Sequence, residues 1–156
     1  MSVNVGQPAP DFSLYDEAKN KTTLSSLKGS NVLLLFFPQA FTSVCTKELC
    51  GVRDNIAMYN KANAKVFGIS VDSVYTLAQF KEAQHYNFPL LSDFNKDVIR
   101  KYDVVNPDMI GLKNIARRAV FVIDKSGVVR YREVLDDARN EPDYKKLNEA
   151  LSTIGQ

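Results

Sequence analysis

Histidine and cysteine are scarce in this sequence: 156 residues contain one His, His85, and two Cys, Cys45 and Cys50. A structural zinc site wants a full tetrahedral set of nitrogen and sulfur ligands, so this inventory points to no metal. The two cysteines stand five positions apart, and no Cys-x-x-Cys pair of the dithiol oxidoreductase kind exists. A small secreted domain stapled by disulfides would use more cysteines and spread them along the chain. Long apolar runs are missing too. The longest, Val32 to Phe37, covers six residues, against the roughly 20 that a membrane-spanning helix needs. The opening MSVNVGQPAP lacks the basic-then-apolar pattern of a secretory leader, so the expected compartment is the cytoplasm. Excess charge of one sign is also absent. Twenty Lys and Arg against 18 Asp and Glu leave a net charge of +2, which gives no basis for a nucleic-acid or membrane partner.

What remains is an ordinary globular composition, 45% hydrophobic and 24% charged, in a length that predicts one domain over residues 1–156. Strand and helix patterns alternate. Phe12 to Tyr15 reads as a short strand, followed by a turn at 17–21 and a helical turn from Leu24 to Leu27 that Gly29 stops. Asn31 to Phe37 is continuously apolar, as suits a central strand buried on both faces, and Pro38 ends it. Leu49, Val52, Ile56 and Tyr59 recur at spacings of three and four, which predicts a helix from about Ser43 to Asn60. Lys65 to Ser70 is a second strand. Asp72 or Ser73 caps a helix reaching Gln84. Phe88 to Leu91 reads as a strand and Asp97 to Tyr102 as a short helix. The stretch 103–116 reads as irregular, with Pro107 and Gly111. Arg118–Ile123 and Val128–Val134 form a hairpin around Asp124-Lys125-Ser126-Gly127. Tyr144 to Leu151 closes the chain as a helix. The pattern predicts an α/β fold with a mixed central sheet flanked by helices.

The chemistry concentrates between Phe36 and Cys50. A buried strand runs into Pro38, crosses a short loop and enters a helix whose first turn carries Cys45. There the sulfur meets unpaired backbone N–H groups and the positive end of the helix dipole, which favour the nucleophilic thiolate. Thr42, three residues earlier, can donate to the sulfur, accept from a substrate or simply cap the helix. By residue type alone Glu48 reads as a solvated helix charge, and Cys50 as a small buried residue or a second reactive thiol. His85, near a helix end, has no evident catalytic part.

Pro38-x-x-x-Thr42-x-x-Cys45 is similar to the signature of the peroxiredoxins, and the resemblance extends along the chain. It includes Gly6-x-Pro8-Ala-Pro-Asp-Phe12, Phe36-Phe-Pro38, Phe88-Pro-Leu-Leu-Ser-Asp93 and Arg118-Ala-Val-Phe-Val-Ile-Asp124. The resemblance implies a thioredoxin-like fold and cysteine-dependent reduction of hydroperoxides, with no cofactor. By position, Cys45 resembles the peroxidatic cysteine, Thr42 and Pro38 its pocket partners, Arg118 the family's arginine and Glu48 the residue that orients it. Arg117 is adjacent, but neighbours on a strand face opposite ways, so one of the pair is expected at Cys45. Val44 and Cys45 backbone N–H groups would hold the peroxide, and Phe41 adjoins the site.

The sequence lies between the bacterioferritin-comigratory-protein (Q-type) group and the alkyl hydroperoxide reductase E group. The first suggests Cys50 as the resolving cysteine, and the second suggests an external thiol. Positions five apart on an intact helix lie about 7.5 Å apart along the axis and roughly 140° around it, so a Cys45–Cys50 bond requires unwinding. The family implies thioredoxin, glutaredoxin or a low-molecular-weight thiol as reductant, and a homodimer. The competing readings are thiol-disulfide exchange, and a redox-sensing or chaperone role on the same fold.

Overall fold

A computed structural model describes residues 3–154; Met1 and Ser2, part of the opening read above for a leader, lie outside the described residues. In chain order the elements are β1 (Ser13–Asp16), β2 (Lys21–Thr23), a 3-10 turn (Leu24–Leu27), β3 (Asn31–Phe36), α1 (Ser43–Asp54) and α2 (Ile56–Lys61). Then come β4 (Ala64–Ser70), α3 (Val74–Gln84), β5 (Leu90–Ser92), α4 (Asp97–Lys101), β6 (Val105–Met109) and β7 (Leu112–Ala116). The chain closes with β8 (Ala119–Ile123), β9 (Val129–Val134) and α5 (Tyr144–Ile154).

Seven strands form one mixed sheet in the order β2-β1-β5-β4-β3-β8-β9. β4 runs parallel to β3 and β5, whereas β8 runs antiparallel to β3 and β9. The central strand β3 is buried at every position. Because side chains alternate across a strand, its residues divide between two cores. Leu33 and Leu35, with Phe37 beyond, pack against Leu49 and Val52 of α1, Leu77 and Phe80 of α3, and Leu147 and Leu151 of α5. Val32, Leu34 and Phe36 face Ile99, Tyr102, Ile115 and Phe121 on the other side. An uninterrupted apolar run is what a strand covered on both faces requires. Gly68 of β4 lets the layers approach: a Cβ there would lie 2.8 Å from Leu90 Cδ2 and 3.2 Å from Phe37 Cε1.

Three departures from the sequence reading have clear causes. The helix expected over 43–60 is two helices, because Asn55 leaves helical geometry (φ −114°, ψ 18°) and its side-chain amide donates to the Gly51 carbonyl. The strand expected from Phe88 to Leu91 is β5 and begins at Leu90, since Pro89 has no N–H for the ladder. The segment read as irregular contains the β6–β7 hairpin. Ile110 and Gly111 form its two-residue turn, both with positive φ (46° and 87°). Asn-Gly or Asp-Gly is the usual signal for such a turn, and isoleucine at the first position concealed it.

Candidate active site

β3 delivers the chain to the site. Phe37 N–H still bonds to the Ile69 carbonyl at 2.9 Å, and buried Pro38 then takes the chain off the sheet. Thr42 is the N-cap residue of α1, with extended dihedrals (φ −79°, ψ 152°). The first helical bond runs from Thr46 N–H to the Thr42 carbonyl, 2.9 Å. The N–H groups of Ser43, Val44 and Cys45 therefore have no acceptor within the helix. Cys45 lies fully buried in this first turn.

Arg118 lies just before β8, and its side chain is 1% exposed. Its Nη2 donates to Cys45 Sγ at 3.2 Å, and its Nη1 donates to Glu48 Oε1 at 3.1 Å. Nε and Nη2 both donate to the Ala138 carbonyl, at 3.2 and 3.0 Å. One planar fork thus holds a sulfur, a carboxylate and a carbonyl at once, which a lysine ammonium could not do in the same geometry. Arg117 points elsewhere, with its Nε on the Val105 carbonyl and its Nη1 near exposed Asp136. The strand expected from Arg118 begins at Ala119, so both arginines lie in the link between β7 and β8, and the two side chains part there through their different partners.

Glu48 follows Cys45 by one helical turn, which places both on the same face of α1. It is fully buried. Its Oε2 has no hydrogen-bond partner among the described residues. Burial pushes the carboxyl up to about 7; the Arg118 charge pulls it down, while Glu141 and Glu133 add to the rise. For Arg118, burial disfavours the charge, yet Glu48 and Cys45 outweigh it and the guanidinium is held above its ordinary range.

The loop between β3 and α1 is held from the side by Asp72, just past β4. Asp72 Oδ2 accepts from Ala40 N–H at 2.8 Å and from Ser70 Oγ at 2.7 Å. Ser73, not Asp72, caps α3 by accepting from Thr76 N–H. Thr42 Oγ1 donates to the Gln39 carbonyl at 3.1 Å and makes no capping bond, which leaves its oxygen lone pairs open. Phe41 has a positive φ of 66° and is 54% exposed, with its ring 4.9 Å from that of Phe80. Asp72→Leu removes the acceptor for the Ala40 amide and is expected to cost about 1–3 kcal/mol, or roughly 3–10 °C in Tm. Asp72→Asn, which keeps an acceptor oxygen, is expected to recover most of that loss in the same thermal melt.

Cys50 is not brought to Cys45. Both thiols are free, and Cys50 turns toward Gln84 Oε1 (3.6 Å) and Tyr86 Oη (3.8 Å). His85 is exposed at the C-cap of α3, away from this cluster. Among the described residues, no group of three His, Cys, Asp or Glu side chains could hold a metal ion. No described helix is long and apolar enough to cross a membrane.

Sequence reasoning missed three contributors: the Ala138 carbonyl, Asp72 as a loop anchor, and Tyr86 beside Cys50. A backbone acceptor leaves no trace in residue type. Asp72 was legible only as a helix-cap candidate, because its loop partner lies 32 positions earlier.

A cysteine at a helix start, faced by a guanidinium, stands where the thiolate is favoured over the thiol. The AhpC/TSA family profile matches residues 5–132. A putative peroxiredoxin, bcp, from Coxiella burnetii is 41% identical over 131 residues, covering 83% of this chain and 87% of the relative. Alkyl hydroperoxide reductase E of Mycobacterium tuberculosis is 38% identical over 135 residues, covering 85% and 86%. The crystal structure of peroxidoxin BcpB from Mycobacterium tuberculosis superposes with a TM-score of 0.86 at 31% identity, covering 97% of this chain and 98% of that one. The chain belongs to the AhpC/TSA family and is a peroxiredoxin of thioredoxin-like fold. It is accordingly a thiol-dependent peroxidase that takes a peroxide substrate and a thiol reductant.

Proposed function

We propose that Cys45 is the attacking thiolate and that Arg118, Thr42 and the N–H groups of Val44 and Cys45 hold the peroxide. The observation that carries this reading is the 3.2 Å approach of Arg118 Nη2 to a fully buried Cys45 Sγ at the start of α1. The sulfur attacks one peroxide oxygen. An S–O bond forms as the O–O bond breaks, the departing oxygen takes the peroxide proton to leave as water or an alcohol, and the sulfenate left on Cys45 takes a proton from solvent to give the sulfenic acid. Arg118 stabilises the thiolate before attack and the charge developing on the leaving oxygen during it. Thr42, with free lone pairs, accepts from the peroxide O–H. Pro38 and Phe41 wall the pocket, and Pro38 shields the sulfenic acid. Glu48 orients Arg118.

The sulfenic acid on Cys45 is then resolved by Cys50 after α1 unwinds, and thioredoxin, glutaredoxin or a small thiol returns the disulfide to thiols. In the alternative, one of those thiols meets the sulfenic acid directly. The favoured substrates are hydrogen peroxide and organic hydroperoxides, and the favoured setting is a single-domain cytoplasmic homodimer.

Intact mass after one equivalent of hydrogen peroxide, with thiols trapped, tests this reading. Rapid loss of two hydrogens is expected, and no change within seconds would overturn it. Cys50→Ser is expected to stop at a gain of one oxygen, with first-turnover oxidation unchanged. Equal steady-state activity of this variant with every reductant would make Cys50 structural.

A further inference from the structure

We infer that Tyr86 latches the turn of α1 that separates the two cysteines, and that ionisation of Cys50 releases the latch. The inference rests on the proposed resolving role of Cys50 and adds its control. Tyr86 lies just past α3, 4% exposed, and its hydroxyl reaches two places on α1. It donates to the Thr46 carbonyl at 3.3 Å and sits 3.8 Å from Cys50 Sγ. Thr46 lies between the cysteines, and its carbonyl is the helical acceptor of the Cys50 N–H. The bond therefore braces the turn that must unwind before Cys45 and Cys50 can meet.

A phenol has one proton to donate. With Cys50 as a thiol, the S–H donates to Gln84 Oε1, and the Tyr86 proton is free for Thr46. A Cys50 thiolate can only accept. It faces the Gln84 carbonyl oxygen unfavourably and draws the Tyr86 proton to itself, away from Thr46. Arg53, whose Nη1 donates to the Gln84 backbone carbonyl, keeps the end of α3 against α1 and adds a positive charge near Cys50. Burial, then the contact with Cys50, holds the Tyr86 phenol well above its ordinary range, so it stays a donor throughout.

The step that follows is balanced. The Cys50 thiolate attacks Cys45 sulfenic sulfur, and the S–S bond forms as the S–O bond breaks. Hydroxide leaves and takes a proton from solvent. Cys50 is oxidised and Cys45 reduced. The ionisation that creates the nucleophile also loosens the helix that keeps it away. Tyr86 is in this sense a positioning residue and touches no peroxide.

The test is Tyr86→Phe, which keeps the ring and removes the hydroxyl. Peroxide oxidation of Cys45 is expected to match the parent, while disulfide formation speeds up by about fivefold, the worth of one hydrogen bond. Amide hydrogen exchange in reduced Tyr86→Phe is expected to rise across 45–51 and nowhere else, whereas a merely structural tyrosine would slow oxidation and loosen the protein generally. Gln84→Glu, which sets a carboxylate against Cys50, is expected to slow the disulfide step. A disulfide forming at the same rate in parent and Tyr86→Phe overturns the latch alone. Gain of one oxygen with no loss of two hydrogens in both proteins overturns the resolving role of Cys50, and the latch with it.

Discussion

Arg118→Ala is expected to slow oxidation of Cys45 by about 10²–10³-fold, the range for removing one preorganised donor from a site of developing negative charge. The guanidinium donates a hydrogen bond to the Cys45 sulfur and is buried with it. Water cannot easily replace it, because the site has been shaped around a planar fork. The variant also leaves Glu48 buried without its counter-charge. Breaking a buried pair in this way commonly costs about 3–5 kcal/mol, moderated here because the carboxyl can take up a proton. Arg118→Lys is expected to recover little, since one ammonium cannot serve Cys45, Glu48 and the Ala138 carbonyl in the same geometry. Stopped-flow oxidation of the reduced protein reads the effect directly. A rate within about threefold of the parent, less than 1 kcal/mol of barrier, would remove Arg118 from the reaction.

The second large effect is in the pH dependence of stability. Burial raises the Glu48 carboxyl from 4.5 to about 7 in the folded protein. Between those values the folded state binds more protons than the unfolded state, so stability falls as pH rises through this window. The contribution is fully present below about 4.5 and lost above about 7, and it amounts to something on the order of 3 kcal/mol. Glu48→Gln keeps the shape but does not titrate. Its denaturation curves are expected to lack this slope, whatever its absolute stability. An identical slope in both proteins would show that Glu48 does not titrate in this window. The carboxylate that orients Arg118 is therefore held at a cost in stability at neutral pH, as is common where a charge is buried for use.

The parts of the site that were legible in the sequence are those carried by neighbours along the chain. Pro38, Thr42 and Cys45 fall within eight residues, and the strand, loop and helix that place them follow from one apolar run, one proline and one helical spacing. Cys45 and Glu48 share a helix face by periodicity alone. Arg118 stands 73 positions from Cys45, and the sequence singled it out through the peroxiredoxin resemblance.

Other features depended on packing between distant segments. The orientation of Arg118 depends on a carbonyl 20 residues further on, and any residue type carries a carbonyl. The rise at Glu48 depends on how completely α1 closes over it, which residue order cannot express. Cys50 has the same spacing from Cys45 whichever way it points. Its contacts with Gln84 and Tyr86 arise only because α1 packs beside the end of α3. The β6–β7 hairpin formed despite a proline in one strand and an isoleucine in its turn, because its two strands pair with each other and Ile115 and Ala116 join the core. Local order along the chain determined that the Cys45 sulfur would stand in the first turn of α1, just past a buried strand. Long-range packing decided what surrounds that atom, because burial, charge pairing and hydrogen-bond direction are properties of surfaces that meet only after folding.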